Sequence, residues 1–221
     1  MSAVNITENF QKVTSSIPEH VTLVAVSKTK PNELIQEAYD FGHRDFGENK
    51  VQDLTAKAEV LPQDIRWHFI GHLQTNKVKY LTPFVYLIHS VDSEKLLREI
   101  DKRARNNGRV QKVLIQGAIS SEETKFGWKL EELSTFLLSG VWQELANVEI
   151  VGLMGMASNS GDTDLVRSEF RRLRDFRDEQ QSEGLELNTL SMGMSGDHPL
   201  AIEECSNMVR IGSTLFGPRN Y

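Results

Sequence analysis

A lysine at the end of an apolar segment is the first candidate for chemistry. Residues 23–26 read LVAV, a continuous apolar run that predicts a strand buried on both faces, and Lys28 follows closely. Side chains alternate along a strand, so Lys28 shares a face with Val24 and Val26. An ammonium group resists burial unless it is paired or functional. Two interpretations stay open: a solvated lysine beyond the strand, or a nucleophile that forms a Schiff base with a carbonyl.

Two glycine-bearing segments near the C-terminus are candidates for anion binding. Residues 191–197 read SMGMSGD and residues 210–214 read RIGST. Glycines let backbone N–H groups approach an anion closely, hydroxyls donate hydrogen bonds, and a helix predicted to begin near residue 198 directs its positive end there. The alternative is two ordinary turns with capping serines. The candidates in these segments are Ser191, Ser195, Gly196, Gly212, Ser213 and Thr214.

An arginine stands inside the apolar segment that precedes the second of these turns. Arg210 lies between Val209 and Ile211, and arginine is almost never buried without a partner. On a strand it shares a face with Gly212, hence with the candidate anion site. It could pair with a carboxylate of the core, or donate to a ring nitrogen or another acceptor of a phosphorylated ligand.

The lysine, the anion site and the arginine together fit pyridoxal phosphate. This cofactor carries an aldehyde, a phosphate and a pyridine nitrogen, whose protein partner is an acidic residue or an arginine. An arginine at that nitrogen cannot accept a proton, so it favours the neutral pyridine and a weaker electron sink.

The elements that must position these residues follow a strict alternation. An extra N-terminal helix over residues 4–15 precedes eight strand–helix units. The predicted strands are 22–28, 44–47, 66–71, 84–91, 112–119, 148–156, 189–194 and 208–212. The predicted helices are 31–42, 49–58, 76–81, 93–106, 130–138, 162–183 and 198–206, with a last turn to 216.

Alternation of this kind requires parallel pairing with the helices outside the sheet. Eight units predict an α/β fold, a single (β/α)8 TIM-type barrel over residues 1–221, with its site at the C-terminal ends of the strands. A doubly wound open sheet is the alternative fold.

Composition excludes several classes of protein. The 221 residues are 39% hydrophobic and 25% charged, which is ordinary for one globular domain. A net charge of −6 argues against nucleic acid or an acidic membrane as the main partner. No apolar run reaches the roughly 18 residues of a membrane-spanning helix, and residues 1–19 lack a signal-peptide core. We therefore expect a cytoplasmic protein.

The cysteine and two histidines carry little chemistry of their own. Cys205 is the only cysteine, so it forms no internal disulfide, and we expect a small buried residue on a helix. His68 and His72 have no third ligand at a telling spacing, so we predict no metal site. We expect His68 to be hydrogen-bonded beneath the rim.

Five ordered blocks resemble the pyridoxal phosphate homeostasis proteins, which are single-domain relatives of the alanine racemase barrel. The blocks are residues 25–31, 46–49, 68–77, 190–195 and 209–212. The resemblance spans nearly the whole chain. One block departs: Gly117 and Ala118 stand where relatives usually have a larger residue and then asparagine, so no site residue is carried over from the fifth strand.

The resemblance implies roles for individual residues. Lys28 would hold the cofactor as a Schiff base, with Asn49 near the ring and Arg210 facing the pyridine nitrogen. Ser195, Gly212 and Ser213 would bind the phosphate.

It also implies a function. The protein would buffer and deliver pyridoxal phosphate, supporting vitamin B6 and amino-acid homeostasis without efficient turnover, with apo-enzymes as recipients. We expect no catalytic residues and a monomer.

Two other functions stay open. A pyridoxal-phosphate racemase works best with acid–base groups on both faces of the substrate. Racemases with a similar barrel take a tyrosine from an additional C-terminal domain, whereas this sequence ends at Tyr221, and Tyr39, Tyr80 and Tyr86 are predicted away from the rim. A cofactor-free isomerase of sugar phosphates would keep the anion site but give Arg210 no role.

Overall fold

The strands form a closed barrel. The computed structural model describes residues 5–121 and 126–218. Eight parallel strands pair in chain order, and the eighth returns to the first, where Leu23 lies opposite Val209. The (β/α)8 prediction is confirmed, and the alternative of an open sheet is wrong because β1 and β8 leave no free edge.

The elements of the barrel have the following bounds. The strands are β1 Thr22–Val26, β2 Asp45–Glu48, β3 Arg66–Phe69, β4 Leu87–Val91, β5 Gln111–Gln116, β6 Val148–Met154, β7 Thr189–Ser191 and β8 Met208–Ile211. The α-helices are α1 Ile6–Ser16, α2 Asn32–Asp40, α3 Val51–Val60, α4 Val78–Leu81, α5 Glu94–Asn106, α6 Leu130–Leu138, α7 Thr163–Ser182, α8 His198–Glu203 and α9 Ser213–Phe216. Short 3₁₀ helices cover Thr75–Lys77 and Val141–Glu144.

Several strands are shorter than predicted because local hydrogen bonds take over at their ends. Strand β4 starts at Leu87 rather than at residue 84, since the N–H groups of Phe84 and Val85 donate to the Leu81 carbonyl at 3.1 and 2.9 Å and finish α4. Strand β1 stops at Val26, ahead of the turn in which Thr29 has a φ of 64°.

Alternation along the strands separates two layers of side chains. Phe46, Trp67 and Phe69 face the helices and are at most 3% exposed. A smaller apolar cluster fills part of the barrel interior and consists of Val24, Leu87, Leu114, Met154 and Met208. The same alternation directs polar residues of β2, β3, β4, β7 and β8 into the interior, where they lie beneath the candidate site.

Three further features complete the fold. The extra N-terminal helix is present as α1, and its Phe10 ring packs against Phe216 with centroids 5.8 Å apart. Within the described ranges, no helix combines the length and apolarity needed to cross a bilayer. The expectation for Cys205 was wrong: it is exposed and has a φ of 66°, because α8 ends at Glu203 and the chain turns there toward β8.

Candidate functional site

Lys28 lies on the rim formed by the C-terminal ends of the strands. It is half-buried and stands two residues beyond β1. The preceding N–H group, of Ser27, donates to the Gly47 carbonyl at 3.0 Å, which holds this segment against β2. Asn49 follows β2, and Gly71 packs so closely on it that a Cβ at Gly71 would lie 2.2 Å from the Asn49 oxygen. The ends of the first three strands are therefore fixed to one another.

A buried ion pair anchors the end of β1 from outside the barrel. The Lys57 ammonium lies 2.6 Å from Oε1 of Glu48 and donates to the Ser27 carbonyl at 2.9 Å. The Ser27 hydroxyl donates to the same Glu48 oxygen at 2.7 Å. Burial raises the pKa of Glu48, which is 0% exposed, and the Lys57 charge and these hydrogen bonds oppose that rise. Because Ser27 precedes Lys28, this pair positions the lysine's backbone. Sequence reasoning missed Lys57.

A second lysine, Lys30, follows two residues after Lys28, and its ammonium is bound by the C-terminal segment. The Lys30 ammonium donates to the carbonyls of Gly217 and Pro218 at 3.0 and 2.7 Å. Burial lowers the pKa of Lys30 somewhat. Two carbonyl partners at the far end of the chain give this ammonium a structural role, and the prediction that Lys28 is the nucleophile stays a prediction.

The two predicted anion-binding segments meet beside β1. The Gly212 N–H donates to the Ser195 hydroxyl at 3.2 Å, which joins the segments after β7 and β8. A Cβ at Gly212 would lie 3.1 Å from the Val26 carbonyl oxygen, so this glycine packs directly on the end of β1. Ser213 and Thr214 open α9 and are exposed, as is Gly196. The structure thus places these predicted phosphate residues at the same rim as Lys28, whereas Ser191, the remaining candidate, is buried in the barrel interior.

We predict opposite outcomes for alanine at the two glycines of the first segment. Gly193 has a φ of 88°, and an added Cβ would lie 2.7 Å from Ala201 Cβ and 2.8 Å from His198 Cα. Gly193→Ala should therefore lower the free energy of unfolding by about 2 kcal/mol. Gly196→Ala adds a Cβ with no atom within 4 Å and should change it little. Chemical denaturation measures both, and equal stabilities would contradict the role of Gly193 in packing this segment on α8.

Arg210 is buried inside the barrel and is 4% exposed. Its Nη1 group donates to the Ser191 carbonyl and hydroxyl at 2.8 and 2.6 Å, and its Nη2 group donates to the Gly155 carbonyl at 3.0 Å. Within residues 5–121 and 126–218 it has no carboxylate partner in a salt bridge. Burial lowers the pKa of Arg210 to about 10, and the charge of Asp197 opposes this. Among the described residues, Arg210 therefore does not form the alternative ion pair with a carboxylate of the core.

Imidazoles lie beneath the arginine, in the barrel interior. His89 Nδ1 lies 3.2 Å from the Ser191 hydroxyl, and His89 Nε2 lies 2.9 Å from His68 Nδ1. His68 Nε2 lies 3.1 Å from Asp45. The prediction of a hydrogen-bonded His68 is confirmed. Sequence reasoning missed Asp45 and His89, although alternation along β4 was a usable signal, since it puts His89 on the interior face with Leu87.

His72 stands apart from this interior set. Its Nδ1 lies 3.1 Å from Asp92, and its ring stacks on Phe126 with centroids 4.0 Å apart. Among the residues that the structure describes, no group of three His, Cys, Asp or Glu side chains is arranged to hold a metal ion.

The first of the two departing residues after the fifth strand, Gly117, faces the helices. A Cβ at Gly117 would lie 3.0 Å from Leu173 and 3.1 Å from Leu130, which belong to α7 and α6. Position 117 therefore points out of the barrel, and a larger residue there would meet helix side chains rather than the rim.

Comparisons with known proteins agree with this geometry. Residues 2–220 match the family model described as alanine racemase, N-terminal domain. The pyridoxal phosphate homeostasis protein of Aquifex aeolicus is 48% identical over 204 residues, covering 90% of this chain and 87% of the relative. The chain belongs to the pyridoxal phosphate homeostasis protein family. The human member is 39% identical over 212 residues, covering 90% of this chain and 77% of its own.

Solved structures of relatives have the same fold as this chain. PipY of Synechococcus elongatus without PLP has a TM-score of 0.90 at 39% identity, covering 96% of this chain and 100% of PipY. PipY with PLP bound has a TM-score of 0.87 at 38% identity, with the same coverage. Alanine racemase of Clostridium difficile has a TM-score of 0.78 at 13% identity over 98% of this chain and 56% of its own, a likeness of fold alone.

Proposed function

We propose that this protein, as one domain over residues 1–221, binds pyridoxal 5′-phosphate, buffers it and delivers it to apo-enzymes. In this role it supports vitamin B6 and amino-acid homeostasis. The observation that carries the proposal is Arg210, a buried cation without a described carboxylate partner, on the strand that leads to Gly212, which packs against the end of β1 just ahead of Lys28. The relatives that bear the homeostasis name, and PipY with PLP bound, support it.

The residues on the rim fit the three functional groups of the cofactor. Pyridoxal phosphate supplies an aldehyde that reacts with amines and a ring that stabilises adjacent negative charge. The Lys28 amine forms the Schiff base, and Asn49 lies beside the ring. The phosphate lies against Gly212 and the side chains and backbone around it. The further phosphate candidates are Ser195, Gly196, Ser213 and Thr214.

The donors of Arg210 can be counted. A guanidinium carries five N–H groups, and Arg210 uses three of them on Ser191 and Gly155. The Nε group and the second Nη2 proton have no acceptor among the described residues, so they are available for the pyridine nitrogen. Ser191, which is 0% exposed, acts through Arg210 and not by direct contact with phosphate.

Storage fits the site better than turnover. Racemisation works best with a second acid–base group opposite the lysine. The Tyr39 hydroxyl donates to Asp64 at 2.6 Å, ahead of β3, and Tyr86 lies just ahead of β4, so both are at the opposite end of the barrel from Lys28. Tyr80 lies on α4. None of the tyrosines that the structure describes therefore lies at the rim, and on this ground we propose no efficient catalysis. The proposed working form is a monomer in the cytoplasm.

Borohydride reduction followed by peptide mass analysis tests the proposal. We expect the purified protein, mixed with pyridoxal phosphate, to gain a visible absorbance band and one pyridoxyl adduct, located on Lys28. If no adduct forms, both the storage function and the racemase-like alternative are wrong. Racemisation or decarboxylation of amino acids at ordinary enzyme rates would favour the racemase-like alternative over storage.

Replacement of the arginine should separate binding from stability. Arg210→Gln removes a buried charge whose desolvation costs free energy, so we expect the melting temperature to change little. We expect the dissociation constant for pyridoxal phosphate to rise about tenfold or more, because a hydrogen bond from a charged donor is lost. Calorimetric titration and thermal melts measure the two quantities. An unchanged affinity with a lowered melting temperature would show that Arg210 is structural.

A further inference from the structure

A continuous row of hydrogen-bonded side chains runs through the barrel interior beneath the proposed cofactor site. The row, here called the interior row, consists of Asp45, His68, His89, Ser191 and Arg210. Each member is at most 8% exposed, and the links span 2.6 to 3.2 Å. The proposed function uses the arginine and the serine that contacts it, so the role of Asp45, His68 and His89 is open.

The lower end of the row has a fixed proton. Burial by itself raises the pKa of Asp45, but the hydrogen bonds from Arg66 and His68 and the charge of Arg66 outweigh it and lower the pKa well below the usual range. Asp45 is therefore ionised at neutral pH and can only accept. The contact of 3.1 Å between Asp45 and His68 Nε2 therefore requires a proton on His68 Nε2.

The upper end of the row is fixed as well. A guanidinium has no acceptor, so Arg210 donates to the Ser191 hydroxyl oxygen. The proton of that hydroxyl is then free to point at His89 Nδ1, 3.2 Å away. Burial lowers the pKa of His89 well below its usual value and keeps this imidazole neutral.

One order of protons satisfies every link when both imidazoles are neutral. With its proton on Nε2, His68 offers the Nδ1 lone pair, so His89 must donate from Nε2 across the 2.9 Å contact. His89 Nδ1 is then an acceptor and receives the Ser191 proton. The hydroxyl oxygen in turn presents its lone pairs to Arg210. A doubly protonated His68 would reverse this order, so that His89 and Arg210 would both donate to the serine oxygen and the buried Ser191 proton would have no acceptor among the described residues.

We propose that His68, His89 and Ser191 are positioning residues for Arg210. Their proton order aims a serine lone pair at Nη1, and this holds the guanidinium in the one orientation that leaves Nε and Nη2 directed at the cofactor ring. The second half of this statement rests on the proposed function. The proton order itself is a property of the protein alone.

Nitrogen NMR of the cofactor-free protein tests the proton order directly. Long-range ¹H–¹⁵N spectra distinguish protonated from unprotonated imidazole nitrogens, and the signals are assigned by their loss in His68→Gln and His89→Gln. At neutral pH we expect both imidazoles to carry a single proton on Nε2. A proton on His89 Nδ1, or two protons on His68, would overturn the proposal without any variant having to bind cofactor.

Substitutions at the serine test whether the row positions the arginine. Ser191→Ala removes the hydroxyl but keeps the backbone carbonyl that Arg210 also contacts. We expect a mixture of His89 tautomers and an about tenfold faster release of pyridoxal phosphate, since a hydrogen bond of a charged donor is lost. Ser191→Thr, which keeps the hydroxyl, should restore both the tautomer and the release rate.

The outcomes separate this proposal from the proposed function. A wild-type protein that binds no pyridoxal phosphate would defeat the function, while the tautomers would still report the proton order. A Ser191→Ala variant with wild-type tautomers and release rate, or a threonine variant that fails to rescue either, would defeat the positioning role. Melting temperatures of both variants check that each is folded.

Discussion

Lys28→Ala is expected to abolish the pyridoxyl adduct completely after borohydride reduction. The substitution removes the amine that we propose bonds to the aldehyde carbon, and it leaves the proposed phosphate contact at Gly212 and the proposed ring contact at Arg210 unchanged. We therefore expect the variant to bind the cofactor non-covalently and more weakly. Absorbance spectra and intact mass after reduction measure the two effects.

The matched control for this experiment is Lys30→Ala. Lys30 lies two residues further on, but its ammonium is held by the carbonyls of Gly217 and Pro218. The Lys30→Ala variant should therefore retain one pyridoxyl adduct per chain. An adduct that persists in Lys28→Ala and disappears in Lys30→Ala would show that the Schiff base forms on Lys30 and that the proposal for Lys28 is wrong.

Lys57→Met is expected to cause the largest loss of stability. The methionine fills a similar volume but leaves the Glu48 carboxylate, which is 0% exposed, without its cation. Removing one partner of a buried ion pair costs about 3–5 kcal/mol of unfolding free energy. Because Lys57 also holds the Ser27 carbonyl, we expect cofactor binding to weaken in parallel. Chemical denaturation at neutral pH measures the stability.

The pH dependence of this variant has a definite sign. Loss of the Lys57 charge raises the folded-state pKa of Glu48 further above its unfolded value, since burial already raises it. A group with a raised folded-state pKa stabilises the fold below its unfolded pKa, and that stability is lost as the pH rises through the folded pKa. The variant should thus be most stable in mild acid and lose stability as neutral pH is approached.

Two controls isolate the buried charge as the cause. The double variant Glu48→Gln with Lys57→Met should lose this additional pH dependence, because no carboxyl remains to titrate. Lys12→Met breaks a Lys–Glu pair of similar length whose side chains are 69% and 53% exposed, and it should leave stability within error. A Lys57→Met protein as stable as Lys12→Met would show that the buried pair does not anchor β1.

Local signals in the sequence were sufficient for the architecture. The run before Lys28, the capping serine Ser93 and the apolar stretch of α6 each reflect interactions within a few residues, and the structure contains all three elements. Their alternation required parallel strands, and the count of eight predicted closure. Strand ends were harder to predict, because the turn at Thr29 and the end of α4 are decided by backbone hydrogen bonds that no side-chain pattern records.

The candidate site shows the same division between what the sequence predicts and what the tertiary structure decides. The sequence by itself determined which residues reach the rim, including Lys28, Gly212 and Arg210, since the fold places the ends of parallel strands together. Only the tertiary structure decided what surrounds them. His89 and Ser191 are 102 residues apart in the chain, and Lys30 meets Gly217 across 187 residues. Such contacts follow from barrel closure, which brings together residues that no local spacing relates, and they hold the Lys30 ammonium and fix what lies beneath Arg210.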